Sequence, residues 1–426
     1  MRRTVIWLFL LLVLGMTNAT AQTMDLQELI DAANEGDTLH LEKGLYEGPI
    51  TITKSLSLKG EEGTVLMANG KSAAITIEGT SHVTVQGIGI ETAGTAITVR
   101  KSQDIELQAI QMKGVDAGVK IHHSNRIKVG NLSLEGNDKH YAQKGNGIAV
   151  YNSESVDLRG NTIQSVQDGF YIEQAKDVAI AENTVTESRY GTHFMYSEEG
   201  TVHGNSFSGN VTGLMIMMAN QLQLEENDIS YQEGFNGTGV TLYEASSILL
   251  HANTVTGNRV GVSIQKTSDV KLDDNMFQMN QTALESVQSD GSNEAAYNRF
   301  VGNLVNVRSD AGGLRLMTNY YDDYTGIDLD GDGVGDESYT ALQSFGQWMV
   351  RKPVYQYFTE SPSVVLLNTI DKQTNMASKT LLVDEAPLTK IDSSRDIAVN
   401  LQPLYLLVGF VLLGACIVIY RRSIRI

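Results

Sequence analysis

The sequence predicts an all-β fold: a right-handed single-stranded parallel β-helix of about 22-residue coils, with a short N-terminal cap helix and a C-terminal transmembrane helix. Three observations predict it. Glycines recur at Gly147, Gly169, Gly191, Gly213, Gly239 and Gly261, and asparagines keep step at Asn161, Asn183, Asn205, Asn227, Asn253 and Asn275. A fixed period on this scale marks a solenoid. Apolar residues alternate within each repeat, which is the pattern of half-buried strands and not of helices. The single cysteine, Cys416, allows no disulfide within the chain, so a large core must hold the domain together.

Taken in order, Arg2 and Arg3 precede an apolar run from Val5 to Val13, and Ala19-Thr20-Ala21 follows, so residues 1–21 read as a signal peptide. Asp25-x-x-Glu28 is a capping box that opens the amphipathic segment Leu26, Leu29, Ile30. The β-helix is expected over residues 22–310, with three short strands per turn. Phe170 and Ile172, or Leu214 and Ile216, follow the glycine as one inward pair. Val178 and Ile180, or Leu222 and Leu224, precede the asparagine as a second. Ile163, Val185, Phe207, Ile229, Val255 and Phe277 supply the third face. The asparagines can form a hydrogen-bonded ladder at one corner, and the glycines permit tight turns. Insertions fall near Glu233–Gly237 and at Asn137–Gly145. A leucine-rich repeat fits Leu222-x-Leu224-x-x-Asn227-x-Ile229, but it needs a return helix or open loop where Gly239-Val-Thr-Leu alternates as a strand.

Residues 311–400 form a C-terminal cap region with an acidic loop and a linker. Residues 404–420 are apolar throughout, at the lower limit of roughly 17 for a span. Arg421, Arg422 and Arg425 make residues 421–426 a cytoplasmic tail by the positive-inside rule. The expected location is therefore the outer side of the cytoplasmic membrane, anchored in it, with the β-helix facing the periplasm or cell exterior. A net charge of −18 argues against nucleic acid and against polyanionic substrates, which need basic grooves.

In each coil the second and fourth residues after the glycine point outward. These positions hold His193 and Met195 in one coil and Met215 and Met217 in the next, with Met218 just beyond. Methionine as core filler does not explain them, because Phe194, Leu214 and Ile216 occupy the inward positions. Thioether and imidazole suit Cu(I) where no thiolate is available; a protein-docking patch is the other reading. A second group, Asp328, Asp330, Asp332 and Asp336 with Gly333, matches positions 1, 3, 5, 9 and 6 of a Ca²⁺ loop, although position 12 is Tyr339 and only Glu337 lies near. A carbohydrate-active enzyme, a polysaccharide lyase or epimerase, is the rival class: Arg189, Tyr190 and His193 could supply a cation, an acid and a base. The acidic charge and the methionines beside that histidine weigh against it.

Several stretches carry a family resemblance. Lys144-Gly-Asn-Gly-Ile, Asp168-Gly-Phe-Tyr-Ile, Arg189-Tyr-Gly-Thr-His-Phe-Met-Tyr-Ser and Asn319-Tyr-Tyr-Asp-Asp-Tyr-x-Gly-x-Asp-x-Asp-Gly-Asp-Gly-Val-Gly-Asp resemble the NosD family, periplasmic maturation proteins of nitrous oxide reductase with a pectin-lyase-like β-helix. The resemblance runs over nearly the whole expected exported domain, to Ser361-Pro362. It implies a non-catalytic accessory protein for assembly of the reductase copper centre. The implied partners are an ABC transporter ATPase and permease, a copper-carrying lipoprotein and the apo-reductase. Arg189, Tyr190, Tyr196 and Met218 are then the expected partner-binding residues. The C-terminal apolar run departs from the soluble periplasmic pattern of that family.

Overall fold

The computed structural model describes residues 24–232, 234, 237–310, 313–341, 352–358, 361–374 and 382–390. The chain falls into two units, Met1–Thr389 and Lys390–Ile426. The expected signal peptide (1–21), membrane helix (404–420) and tail (421–426) lie outside the described residues. Among the described residues no helix is long and apolar enough to cross a membrane.

The first unit begins with helix α1 (Leu26–Ala32). The Asp25 carboxylate caps it by accepting from the Gln27 and Glu28 amides at 2.9 and 3.3 Å. Leu26 and Ile30 are buried, so the helix covers the first coil with its apolar stripe. Among the described residues the chain then winds into a parallel β-helix whose three sheets have 14, 12 and 15 strands, each strand pairing with its counterpart one coil away except the antiparallel pair Tyr339–Thr340 and Val383–Asp384 that ends the third sheet. Alternation places Phe170, Ile172, Leu214, Ile216, Val178, Ile180, Leu222, Leu224 and the whole third column from Ile163 to Phe277 in one continuous core. The sheets continue past Ser309 through Arg315–Met317 and Tyr320–Tyr321.

The glycine column has a different physical basis from the tight turn expected of it. Gly147, Gly169, Gly191, Gly213 and Gly239 lack positive φ, but a Cβ on any of them would lie 2.5–2.6 Å from the carbonyl oxygen of the next glycine in the column. That is closer than carbon and oxygen can approach, so the coils stack only without a side chain there. The corner between the 12- and 15-stranded sheets does require left-handed backbone, and residues such as Gln174, Tyr196, Met218 and Glu244 supply it at φ 49–51°.

The asparagine ladder is present and it is polar. Each asparagine side-chain oxygen accepts from both the backbone N–H and the side-chain amide of the asparagine one coil earlier, as between Asn183 and Asn205 at 2.9 Å each. The pattern runs from Asn161 to Asn319. There the donors of Asn319 meet the buried carboxylate of Asp384, which also accepts from the Thr318 amide and the Tyr321 hydroxyl. A second ladder, which the sequence reading did not foresee, runs through Ser188, Asn210, Gln232, Asn258, Asn280 and Asn303. Beyond the last coils, stacked rings of Phe277, Phe300, Tyr321 and Tyr339 extend the core toward the C-terminal end. A second helix, α2 (Pro362–Thr374), follows.

Candidate functional site

The site lies on the outer face of the 12-stranded sheet, where Asp168–Glu173, Tyr190–Met195, Thr212–Met217 and Thr238–Tyr243 pair in register. Register aligns Tyr171, His193, Met215 and Thr241 in one outward column. It aligns Glu173, Met195, Met217 and Tyr243 in the next. Strands about 4.8 Å apart bring neighbouring side chains of such columns into contact range. Met195, Met215, Met217 and Met218 are each partly exposed.

His193 departs from expectation: it belongs to the outward column but is only 6 % exposed. The rings of Tyr171 and Tyr190 meet it edge-on, each 5.1 Å away. Beneath it lies Asp168, whose carboxylate is fully buried. Arg189 grips both oxygens of Asp168 through its Nε and Nη2 at 2.8 and 2.7 Å. The Nδ1 of His193 sits 3.1 Å from Oδ2 of the same carboxylate. Both Asp168 oxygens act as acceptors toward arginine, so Nδ1 is the nitrogen that donates to the carboxylate, and in the neutral imidazole the lone pair is on Nε2. That Nε2 is buried and has no hydrogen-bond partner. A histidine held at one nitrogen by a carboxylate, with the other nitrogen left for a metal, is the usual second-sphere arrangement of metal-binding imidazoles.

The tyrosines complete the surroundings. The Tyr171 hydroxyl donates to Glu173 at 2.9 Å and lies 3.4 Å from the Met195 sulfur. Burial, reinforced by that bond to Glu173, pushes the hydroxyl far above its ordinary pKa. Burial likewise raises Tyr190, against the opposing charge of Arg189, which stacks 4.4 Å from its ring. Burial alone would lower Arg189, but its bond to Asp168 more than offsets this and raises it.

Arg189 and Tyr190 are thus parts of the buried charge cluster. Tyr196 and Met218 take equivalent left-handed corner positions in adjacent coils, next to Met195 and Met217, and Tyr196 is 52 % exposed. Asp168 was missed as a site residue. Its signal was available, since the position before the repeat glycine is otherwise Asn146, Tyr190, Thr212, Thr238 or Val260, and only Asp168 is charged.

The acidic loop is separate. Asp328, Asp330 and Asp332 bring carboxylate oxygens within 4.8 Å of one another. Asp336 stands apart from that group and accepts from the Leu329 amide at 2.7 Å. Asp328 accepts from the amides of Gly331 and Gly333, at 2.7 and 3.0 Å.

Residues 130–328 match the family model of the periplasmic copper-binding protein NosD. That stretch is similar to a NosD domain. The NosD match includes the whole histidine–methionine surface and ends at the first carboxylate of the acidic loop. A probable ABC transporter binding protein NosD of Stutzerimonas stutzeri is 23 % identical over 137 residues, which is 31 % of each chain, so the similarity spans about a third of that relative. Among solved structures, the A-module of the Azotobacter vinelandii mannuronan C-5 epimerase AlgE6 superposes with a TM-score of 0.59 at 15 % identity, covering 70 % of this chain and 97 % of that one. The Streptococcus pneumoniae surface adhesin PfbA gives 0.50 at 10 % identity, covering 77 % and 96 %. At such identities these two show the β-helix and nothing of activity.

Proposed function

We propose that this chain is a non-catalytic accessory protein in assembly of the copper centre of nitrous oxide reductase. In this reading it acts on the outer side of the cytoplasmic membrane with an ABC transporter and a copper-carrying lipoprotein. Cu(I) is its cargo, held in passing by His193 with Met195, Met215 and Met217. The observation that carries the reading is the buried, unpartnered Nε2 of His193, aligned by Asp168 beside a row of thioethers. Soft sulfur ligands with one imidazole favour Cu(I) over harder ions. The partly exposed methionines leave the ion open to transfer, while the tyrosine rings cover the histidine until it is engaged. Tyr196 and Met218 extend the surface for a docking partner. The rival, a polysaccharide lyase or epimerase, would need Arg189 free to neutralise a substrate carboxylate; here both its Nε and Nη2 are bound to Asp168.

The test uses two sets of replacements at Met195, Met215 and Met217. Leucine keeps size and apolarity but removes the thioethers, whereas lysine destroys the surface. Cu(I) uptake in competition with a chromophoric chelator is expected to be lost in the leucine set, together with reductase maturation in cells. If maturation survives leucine but fails with lysine, the surface docks a partner and holds no metal. Full maturation with both sets rules out any role, and depletion of uronate polymers by the purified protein would favour the enzyme.

A further inference from the structure

The outer face of the 15-stranded sheet carries a column of a different kind. At the strand ends beside the asparagine ladder, His203 pairs with Glu225, Glu225 with His251 and His251 with Asp273. The order is imidazole, carboxylate, imidazole, carboxylate in four successive coils, and all four side chains are partly exposed. The Nδ1 of His251 lies 3.0 Å from Oδ2 of Asp273, so that carboxylate takes one nitrogen and leaves Nε2 for another partner. The Nδ1 of His203 is buried while its side chain is 45 % exposed, which puts Nε2 outward, 4.0 Å from Oε2 of Glu226. Glu226 stands at the corner between Gly204 and Ala252, so no large side chain separates it from the column.

Geometry allows the column to close on a single ion. Coils lie about 4.8 Å apart, which sets His203 and His251 roughly 10 Å from each other across Glu225. An imidazole reaches roughly 4 Å beyond its Cβ and a bond to zinc adds about 2 Å, so two imidazoles leaning toward Glu225 meet above it. As the side chains stand, their ligand atoms are not gathered within 4.8 Å as those of the acidic loop are. Turns about side-chain bonds close the gap, and partly exposed side chains make such turns readily. Two imidazoles with carboxylates and no sulfur suit a borderline divalent ion. Ca²⁺ takes oxygen throughout, and Cu(I) favours softer thioethers.

We propose that His203, Glu225 and His251, with Glu226 as fourth ligand, bind one Zn²⁺ ion. The ion ties together three coils that otherwise touch only their neighbours. On the 12-stranded sheet these same coils present His193 and Met195, Met215 and Met217, and Thr241 and Tyr243. The site lies on another face and does not rest on the copper reading.

The test uses the full-length chain, stripped by a chelator and then held in excess Ca²⁺ so that oxygen-only sites are filled. Zn²⁺ is titrated in competition with a chromophoric chelator. Affinity is expected to fall about tenfold or more in each of His203→Gln, Glu225→Gln and His251→Gln. It should not change in His82→Gln, which removes an exposed imidazole 3.8 Å from the Asp104 carboxylate. X-ray absorption at the zinc edge of the unsubstituted chain needs no variant to fold. Two imidazole nitrogens at about 2.0–2.1 Å, with oxygen completing the shell, are expected. Sulfur neighbours would place the ion at the methionines, and an oxygen-only shell would place it at the acidic loop; either overturns the proposal. So would affinity that survives all three substitutions, or no uptake of Zn²⁺ by the unsubstituted chain.

Discussion

Asp168 decides the chemistry of the histidine above it. Its carboxylate serves Arg189 and His193 together, so replacing it with asparagine would put an N–H₂ group where an acceptor is needed. Asp168→Asn is expected to weaken Cu(I) binding by about 10- to 100-fold, the usual cost of losing a partner that orients a metal-binding imidazole. Chelator competition measures it; unchanged affinity would mean that Asp168 only balances Arg189. The outward column was legible in the sequence because strand alternation leaves no choice of face for His193 once Phe194 is inward. Its burial was not legible. Tyr171 of the preceding coil and Tyr190 at the start of its own strand cover it edge-on, and a two-residue period gives the face of a side chain but not how far its neighbours close over it.

At the scale of single elements, all three corners carry side-chain bonds between coils, the third through serine hydroxyls such as Ser153, which accepts from the Ser124 amide at 3.1 Å. The asparagine ladder could be read from spacing, since identical residues at a fixed period must stack. The second ladder mixes serine, asparagine and glutamine, and that chemical variety hid it from a search for repeated letters. The acidic loop was visible as a motif, but the structure divides its carboxylates: three converge, while Asp336 holds the loop closed through the Leu329 amide. If Ca²⁺ occupies the three, it adds stability of about 2.7 kcal/mol at a hundredfold excess over Kd. A rise in the thermal midpoint with Ca²⁺ that a chelator reverses is the expected result, and an identical melt in both conditions would show that the loop binds no calcium.

The molecule as a whole is a stack in which each coil touches only its neighbours, so damage at one end should stay there. Asp384 lies 65 residues beyond Asn319 in sequence and directly on it in space. Asp384→Ala leaves the Asn319 amides, the Thr318 amide and the Tyr321 hydroxyl without that acceptor. Hydrogen exchange is expected to quicken across Arg315–Tyr321 and to remain unchanged in the coils around Asn183 and Asn205. Uniform acceleration along the β-helix would mean that it unfolds as one unit instead. The period, the core and the parallel strands were all legible because they repeat. This closure was not, because it occurs once and joins distant parts of the chain.

The polarity of the asparagine ladder gives the protein a direction of completion. Every rung gives its donors to the next and accepts from the one behind, so the unfinished end always presents N–H groups. An asparagine there would only pass the need to another rung, whereas a carboxylate, having nothing to donate, ends it. Synthesis reaches that carboxylate only after the last coil is built. Until then the nascent stack carries an open strand edge of the kind that recruits other chains. A chain stopped before Asp384 should therefore be as well folded in its middle as the full one, yet grow in light scattering as its open ends find partners; if it stays monomeric, the aspartate is not what marks the stack as finished.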